Sequence, residues 1–350
     1  MSPGDKAALR LAIGLGLAVL VAYGMALPVP YVVCVMSTLV LSRPGPPLPL
    51  VKGLVVALVF AALVATGIVM VPLLEHYAFA AVLMTAALLH SIFFVGLTSG
   101  NPLTAVLVLS FTLIPVAGVA EQALVGSLSV TLAIGIGLGV LVSAVSHSLF
   151  PDPPAAAAAA AAGAAARVPP NEAAWIALRA TLIVMPVFVL ALTNPSFYLA
   201  AVMKTVALAQ QAGETDARSA GRELVGATLM GAAIAAAVWT GLSIWPSLWM
   251  LTLWLTAAAL WIGSAMFAVR RTKWRPPFWS NALITMFLLL GPAIEDSASG
   301  KSVVEGSVMR VCLFVGVALY AWCTIRLLER FRPDLPPAAP VLHRQQEEPT

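Results

Sequence analysis

Apolar residues run along this chain in long blocks, and the polar positions are gathered into short turns between them. Twelve blocks are long and apolar enough to be read as candidate membrane-crossing helices. In the first half they are 9–27, 30–41, 50–74, 77–96, 103–119 and 123–149. In the second half they are 177–193, 196–210, 224–245, 248–269, 277–290 and 307–328. Several fall short of the roughly 20 residues that cross a bilayer. The second and eighth are among the shortest, which makes each a candidate for a broken or re-entrant helix. The first block follows Arg10 and resembles a signal peptide near Gly24-Met25-Ala26. Its length exceeds a usual signal core and a matching segment recurs later, so it is read as a retained helix.

Between the halves lies PDPPAAAAAAAAGAAARVPP, residues 151–170. Alanine favours helix, but Gly163 and the flanking prolines mark a linker rather than a thirteenth span. The halves share an ordered set of short matches. Ala8-Leu9-Arg10 parallels Ala177-Leu178-Arg179, and Val35-Met36-Ser37-Thr38 parallels Val202-Met203-Lys204-Thr205. Lys52 precedes the third span as Arg222 precedes the ninth, and Ile114-Pro115 stands where the eleventh span carries Gly291-Pro292. The expected fold is an all-α polytopic membrane protein of about 12 transmembrane helices. An even number of spans per half makes the two six-helix repeats parallel, related by an axis along the membrane normal. The divisions are 1–150 for the first repeat, 151–174 for a cytoplasmic linker, 175–332 for the second repeat and 333–350 for a cytoplasmic tail.

Composition agrees with this pattern. The chain is 61% hydrophobic and 10% charged, against about 25% charged in soluble domains. With the N-terminus inside, every Lys and Arg except Lys204, Lys301 and Arg310 falls on the cytoplasmic side, as the positive-inside rule requires. Both termini are therefore placed in the cytoplasm. The net charge of +4 is accounted for by these loops and calls for no nucleic acid. The opposite side carries Glu75, His76, Glu121, Glu295, Asp296 and Glu305, with 294–306 as its longest expected loop. Cys34, Cys312 and Cys323 lie inside apolar runs without CxxC spacing and are read as buried thiols. No Walker A, HExxH or GxSxG motif is present. The expectation is a transporter, not an enzyme, with no cofactor and no metal.

Lys204 carries the chemistry. A charge at the centre of a membrane helix costs roughly 2.5–3.5 kcal/mol on insertion scales, so such residues face a cavity or a partner. Two readings stand: Lys204 snorkels to the headgroups along its four-carbon stem, or it faces the space between the repeats and attracts an anion. Ser37, its counterpart in the first half, is neutral. The candidate substrate-binding residues are Lys204, Ser37, Thr205 and, as a cytoplasmic-side helper, Arg222. His90 and His147 read as interfacial or hydrogen-bonded histidines. Gly135 and Gly139 form a GxxxG spacing suited to close helix packing. Trp245 and Trp249 fit an interfacial belt, and Trp254 has both lipid-facing and cavity-lining readings.

The basic residue opening each half, the short second span, and Lys52-Gly53 and Gly221-Arg222 opening the third span of each half resemble the fusaric-acid-resistance and aromatic acid exporter superfamily. The likeness spans most of residues 8–330. It implies a bacterial inner-membrane protein exporting aromatic or other organic anions, driven by the proton gradient. It also implies a periplasmic membrane-fusion adaptor and an outer-membrane channel as partners; a homo-oligomer is a separate expectation. Many members carry large soluble cytoplasmic domains, which the linker and short tail replace here. Plant anion channels with a similar six-helix unit supply a rival reading, a passive pore lined by Lys204. A non-transporting membrane scaffold is the third.

Overall fold

The computed structural model describes residues 1–42, 66–100, 104–151, 168–211 and 220–331, with isolated positions between 55 and 63. The described residues are helical, without strands. The helices are α1 (Pro3–Gly24), α2 (Pro30–Leu41), α3 (Met70–His76, after a 3₁₀ turn at Gly67–Val69), α4 (Ala78–Ser99), α5 (Thr104–Ala120) and α6 (Gln122–Leu149). They continue with α7 (Pro170–Thr193), α8 (Pro195–Gln211), α9 (Ala220–Ile244), α10 (Leu248–Met266), α11 (Pro276–Ala298) and α12 (Val303–Arg330).

Local chemistry sets the ends of these helices. Proline stands in the first turn of α1, α2, α7 and α11, where its missing N–H is no loss. Ser2 and Asp5 form a reciprocal capping box on α1, and Ser247 and Ser302 cap α10 and α12. Between α7 and α8 the chain breaks at Asn194-Pro195. The Asn194 side-chain oxygen accepts from the Phe197 amide and caps the new helix.

Eight helices are long and apolar enough to cross a membrane, and the remaining apolar helices are shorter. The protein is therefore a helical, multi-pass membrane-type protein, with α2, α5 and α8 among the shorter members. Three expectations change. The supposed loop 294–306 is mostly helix: α11 runs on to Ala298 and α12 starts at Val303, so Glu295 and Asp296 are helical. Asp296 reaches α12, where Arg310 donates to it at 2.7 Å; this ion pair across the short connection explains why helix persists there. The seventh helix also begins earlier than the expected span 177–193, at Pro170; residues 152–167 lie outside the described residues, as do 50–54, 56–57, 60–61 and 64–65 of the third span. Finally, of the three cysteines only Cys34 is buried; Cys312 and Cys323 are exposed on the outer face of α12.

Packing follows a regular scheme. α1 packs on α10, and α7 packs on α4; α2 packs on α11, and α8 packs on α5. The pairs α1–α2, α1–α6, α2–α6, α4–α5 and α5–α6 recur as α7–α8, α7–α12, α8–α12, α10–α11 and α11–α12. Each half thus lays its first and second helices against the fourth and fifth of the other. Gly135 and Gly139 of α6 allow the close α2–α6 contact. A Cβ at Gly135 would lie 3.1 Å from the Val33 Cα, and one at Gly139 would lie 3.1 Å from the Ser37 Cα. The GxxxG spacing therefore serves packing.

Two buried arginines hold equivalent places in this scheme. Arg10 of α1 donates to the Phe150 carbonyl, 3.5 Å away at the C-terminal cap of α6. Arg179 of α7 lies 3.8 Å from Glu329 in the last turn of α12. In both halves a cation meets the negative end of a helix dipole, tying the first helix to the sixth.

Candidate functional site

α11 is the axis of the bundle, packed by α2, α8, α9, α10 and α12. Every residue from Asn281 to Ala293 is buried, so the helix is apolar nearly all round, as a central helix must be. Two polar residues interrupt it, Asn281 and Thr285, one turn apart and therefore on one face. They face α8.

Lys204 sits near the middle of α8, about 14 Å from its first residue at 1.5 Å per residue. It has no solvent exposure. Its Nζ donates to Asn281 Oδ1 at 2.5 Å and to Thr285 Oγ1 at 2.5 Å. The snorkelling reading fails here: the side chain turns inward to α11. Thr285 can accept from the lysine because its own proton goes to the Asn281 carbonyl, 2.6 Å away. Gly231 of α9 closes the far side. A Cβ there would lie 2.5 Å from the Ala282 carbonyl oxygen and 2.6 Å from the Thr285 Cβ, so glycine lets α9 press Thr285 towards the lysine.

Among the described residues no carboxylate lies within ion-pair distance of Nζ. That is unusual, since an ion taken from water incurs an effective penalty of several kcal/mol even after relaxation. Two charge-assisted hydrogen bonds to neutral acceptors offset part of this. The charge itself is left without a counterion.

The other expected residues are less closely joined to this centre. Ser37 is fully buried on α2, its hydroxyl 3.5 Å from the Gly135 carbonyl. Thr205 is buried beside Lys204 in sequence, but its hydroxyl donates to the Ala201 carbonyl at 2.6 Å. Arg222 is exposed in the first turn of α9, away from the buried cluster. His147 bonds within α6, its Nδ1 2.8 Å from the Ser143 carbonyl. Trp254 wedges against Gly241 of α9, 40% exposed, and does not belong to a cavity around Lys204. Trp245 and Trp249 are largely exposed at the α9–α10 corner.

Asn281 and Thr285 were missed by the sequence reading. A signal for Asn281 was present: it is the one asparagine of the chain inside an apolar run.

A small cavity of about 50 Å³ lies where the halves meet, lined by Val29, Ala117, Leu128, Pro195 and Leu199 among others. It is about a third the size of a 150 Å³ cavity known to take up benzene, too small for an aromatic ring. Lys204 does not line this cavity and has no solvent exposure.

Fold and site together define a multi-pass helical membrane protein with a cationic centre buried between α8 and α11. Residues 7–146 match a family described as a protein of unknown function, DUF2955. The match begins in the first turns of α1 and stops just before the end of α6. It covers less than half of the chain and the first set of six helices only. No curated protein and no solved structure matches the chain.

Proposed function

We propose that this protein is an inner-membrane exporter of aromatic or other organic anions, coupled to protons and built from two parallel six-helix repeats. One observation carries the reading: Lys204 is buried between two helices, hydrogen-bonded only to neutral side chains among the described residues. Such an ammonium attracts an anion, and the anion in turn stabilises the ammonium. Proton binding and anion binding at Lys204 therefore favour each other, and by linkage this holds equally in both directions. The matched packing of α1–α6 and α7–α12 supports duplication, and the matched family stretch, which falls within the first six helices, accords with it. The distribution of Lys and Arg supports cytoplasmic termini. A periplasmic adaptor and an outer-membrane channel as partners rest on the likeness to the fusaric-acid-resistance superfamily.

On this reading the buried Lys204 belongs to an occluded state. Transport requires α8 and α11 to part on one side at a time. The same burial favours a second reading, a non-transporting scaffold in which Lys204 only fixes α8 to α11.

The test is flux of labelled benzoate in oriented proteoliposomes, with and without a pH gradient, for wild type and Lys204→Ala. Gradient-dependent uphill flux that is lost in the variant is the expected result. Downhill flux alone would point to a passive channel, and equal flux in both proteins would remove Lys204 from the pathway. Absence of flux with a panel of organic acids, with the adaptor supplied, would favour the scaffold.

A further inference from the structure

The hydrogen-bond inventory of the Lys204 cluster is unbalanced in one direction. A lysine ammonium has three donors and no acceptor. Its contact with Asn281 therefore fixes the amide orientation, oxygen towards the lysine and nitrogen away from it. Asn281 Nδ2 is then buried without a hydrogen-bond partner. Thr285 has no spare proton, having given it to the Asn281 carbonyl. What remains is the third proton of Nζ and both protons of Nδ2: three unused donor protons beside one positive charge. A carboxylate is the complement, since its two oxygens accept only and offer about four lone-pair sites.

We infer that Asn281 is a second anchor for the substrate, and that the Lys204–Asn281 pair receives a monocarboxylate, one oxygen on Nζ and the other on Nδ2. The inference rests on the transporter reading and deepens it by naming the group recognised. It also explains why the residue is asparagine. Aspartate of the same shape would hold the same hydrogen bond but would give Lys204 a permanent counterion. Asparagine orients the ammonium and leaves its charge to be met by a ligand. Thr285 is a positioning residue, holding Nζ through a second hydrogen bond, with Gly231 pressed against it.

The test uses purified full-length protein in nanodiscs, with acetate and benzoate as probes and chloride and benzamide as controls. Wild type is expected to gain thermal stability with either carboxylate and with neither control. Asn281→Asp, carrying its own carboxylate, is expected to melt above wild type and to lose the response to added carboxylates. Asn281→Leu is expected to raise the KM for benzoate flux at least tenfold while still eluting as a single folded species. An undiminished carboxylate response in Asn281→Asp, or a melting point below wild type, overturns the inference. A chloride response equal to that of benzoate overturns the choice of a carboxylate. If Lys204→Ala abolishes flux while Asn281→Leu keeps the wild-type KM, the transporter reading stands and the second anchor falls. If Lys204→Ala transports normally, the reading itself fails.

Discussion

Replacing Lys204 by methionine, alone and together with Asn281→Leu, separates a binding centre from a structural one. Methionine has a similar length and volume, so the packing between α8 and α11 is kept. In wild type the two hydrogen bonds from Nζ, at about 1.5–3 kcal/mol each for a charged donor, offset a desolvation penalty of several kcal/mol. Removing the ammonium therefore removes two opposed quantities of similar size. What is left is the Asn281 oxygen, buried without a donor, which costs about 1–3 kcal/mol. Thr285 keeps its bond to the Asn281 carbonyl. The single variant should lose that amount in thermal unfolding in detergent. Asn281→Leu removes the orphaned oxygen and the unpartnered Nδ2 together. The double variant should then return to within about 1 kcal/mol of wild type, since exchanging both partners for apolar groups of similar shape is nearly neutral. Flux should be abolished in both. A double variant less stable than Lys204→Met alone would show that the cluster holds the fold together. Wild-type flux in either would show that the cluster is not the site.

The remaining predictions concern the packing and the membrane sidedness. Gly231→Ala places a methyl against the Ala282 carbonyl and Thr285; overpacking of this kind costs about 1–3 kcal/mol, and both melting temperature and flux should fall. Gly139→Val should separate α2 from α6, because a Cβ there already lies 3.1 Å from the Ser37 Cα; unchanged thermal stability would contradict that close contact. Asp296→Ala leaves Arg310, half-enclosed at the α11–α12 connection, without its 2.7 Å partner, and should cost about 1–3 kcal/mol in unfolding experiments. In a cysteine-free background, an impermeant maleimide should label Lys273→Cys in inverted vesicles and Lys301→Cys in right-side-out vesicles. Labelling of both from one face would overturn the assigned orientation.

That the protein is a bundle of apolar helices, and where most of these begin and end, is legible in the residue pattern alone. Hydrocarbon offers the backbone no hydrogen bonds, so long apolar runs have helix as their economical form, and Pro, Ser and Asn-Pro signals punctuate them locally. For the same reason the second span, 30–41, was legible to the residue, and Lys204 stood out as a charge inside an apolar run. Where a helix end depended on a distant partner, the sequence reading was wrong. The last turns of α11 persist beside Arg310 of the next helix, which no local pattern discloses. Nor did hydropathy distinguish Cys34, buried against the core, from Cys312 and Cys323, which share equally apolar surroundings in sequence but face outward from α12. The direction of Lys204 was set by packing between distant helices. An isolated helix would let the lysine snorkel; its inward course turned on two acceptors of α11, some 80 residues away along the chain, brought to Nζ by packing around Gly231.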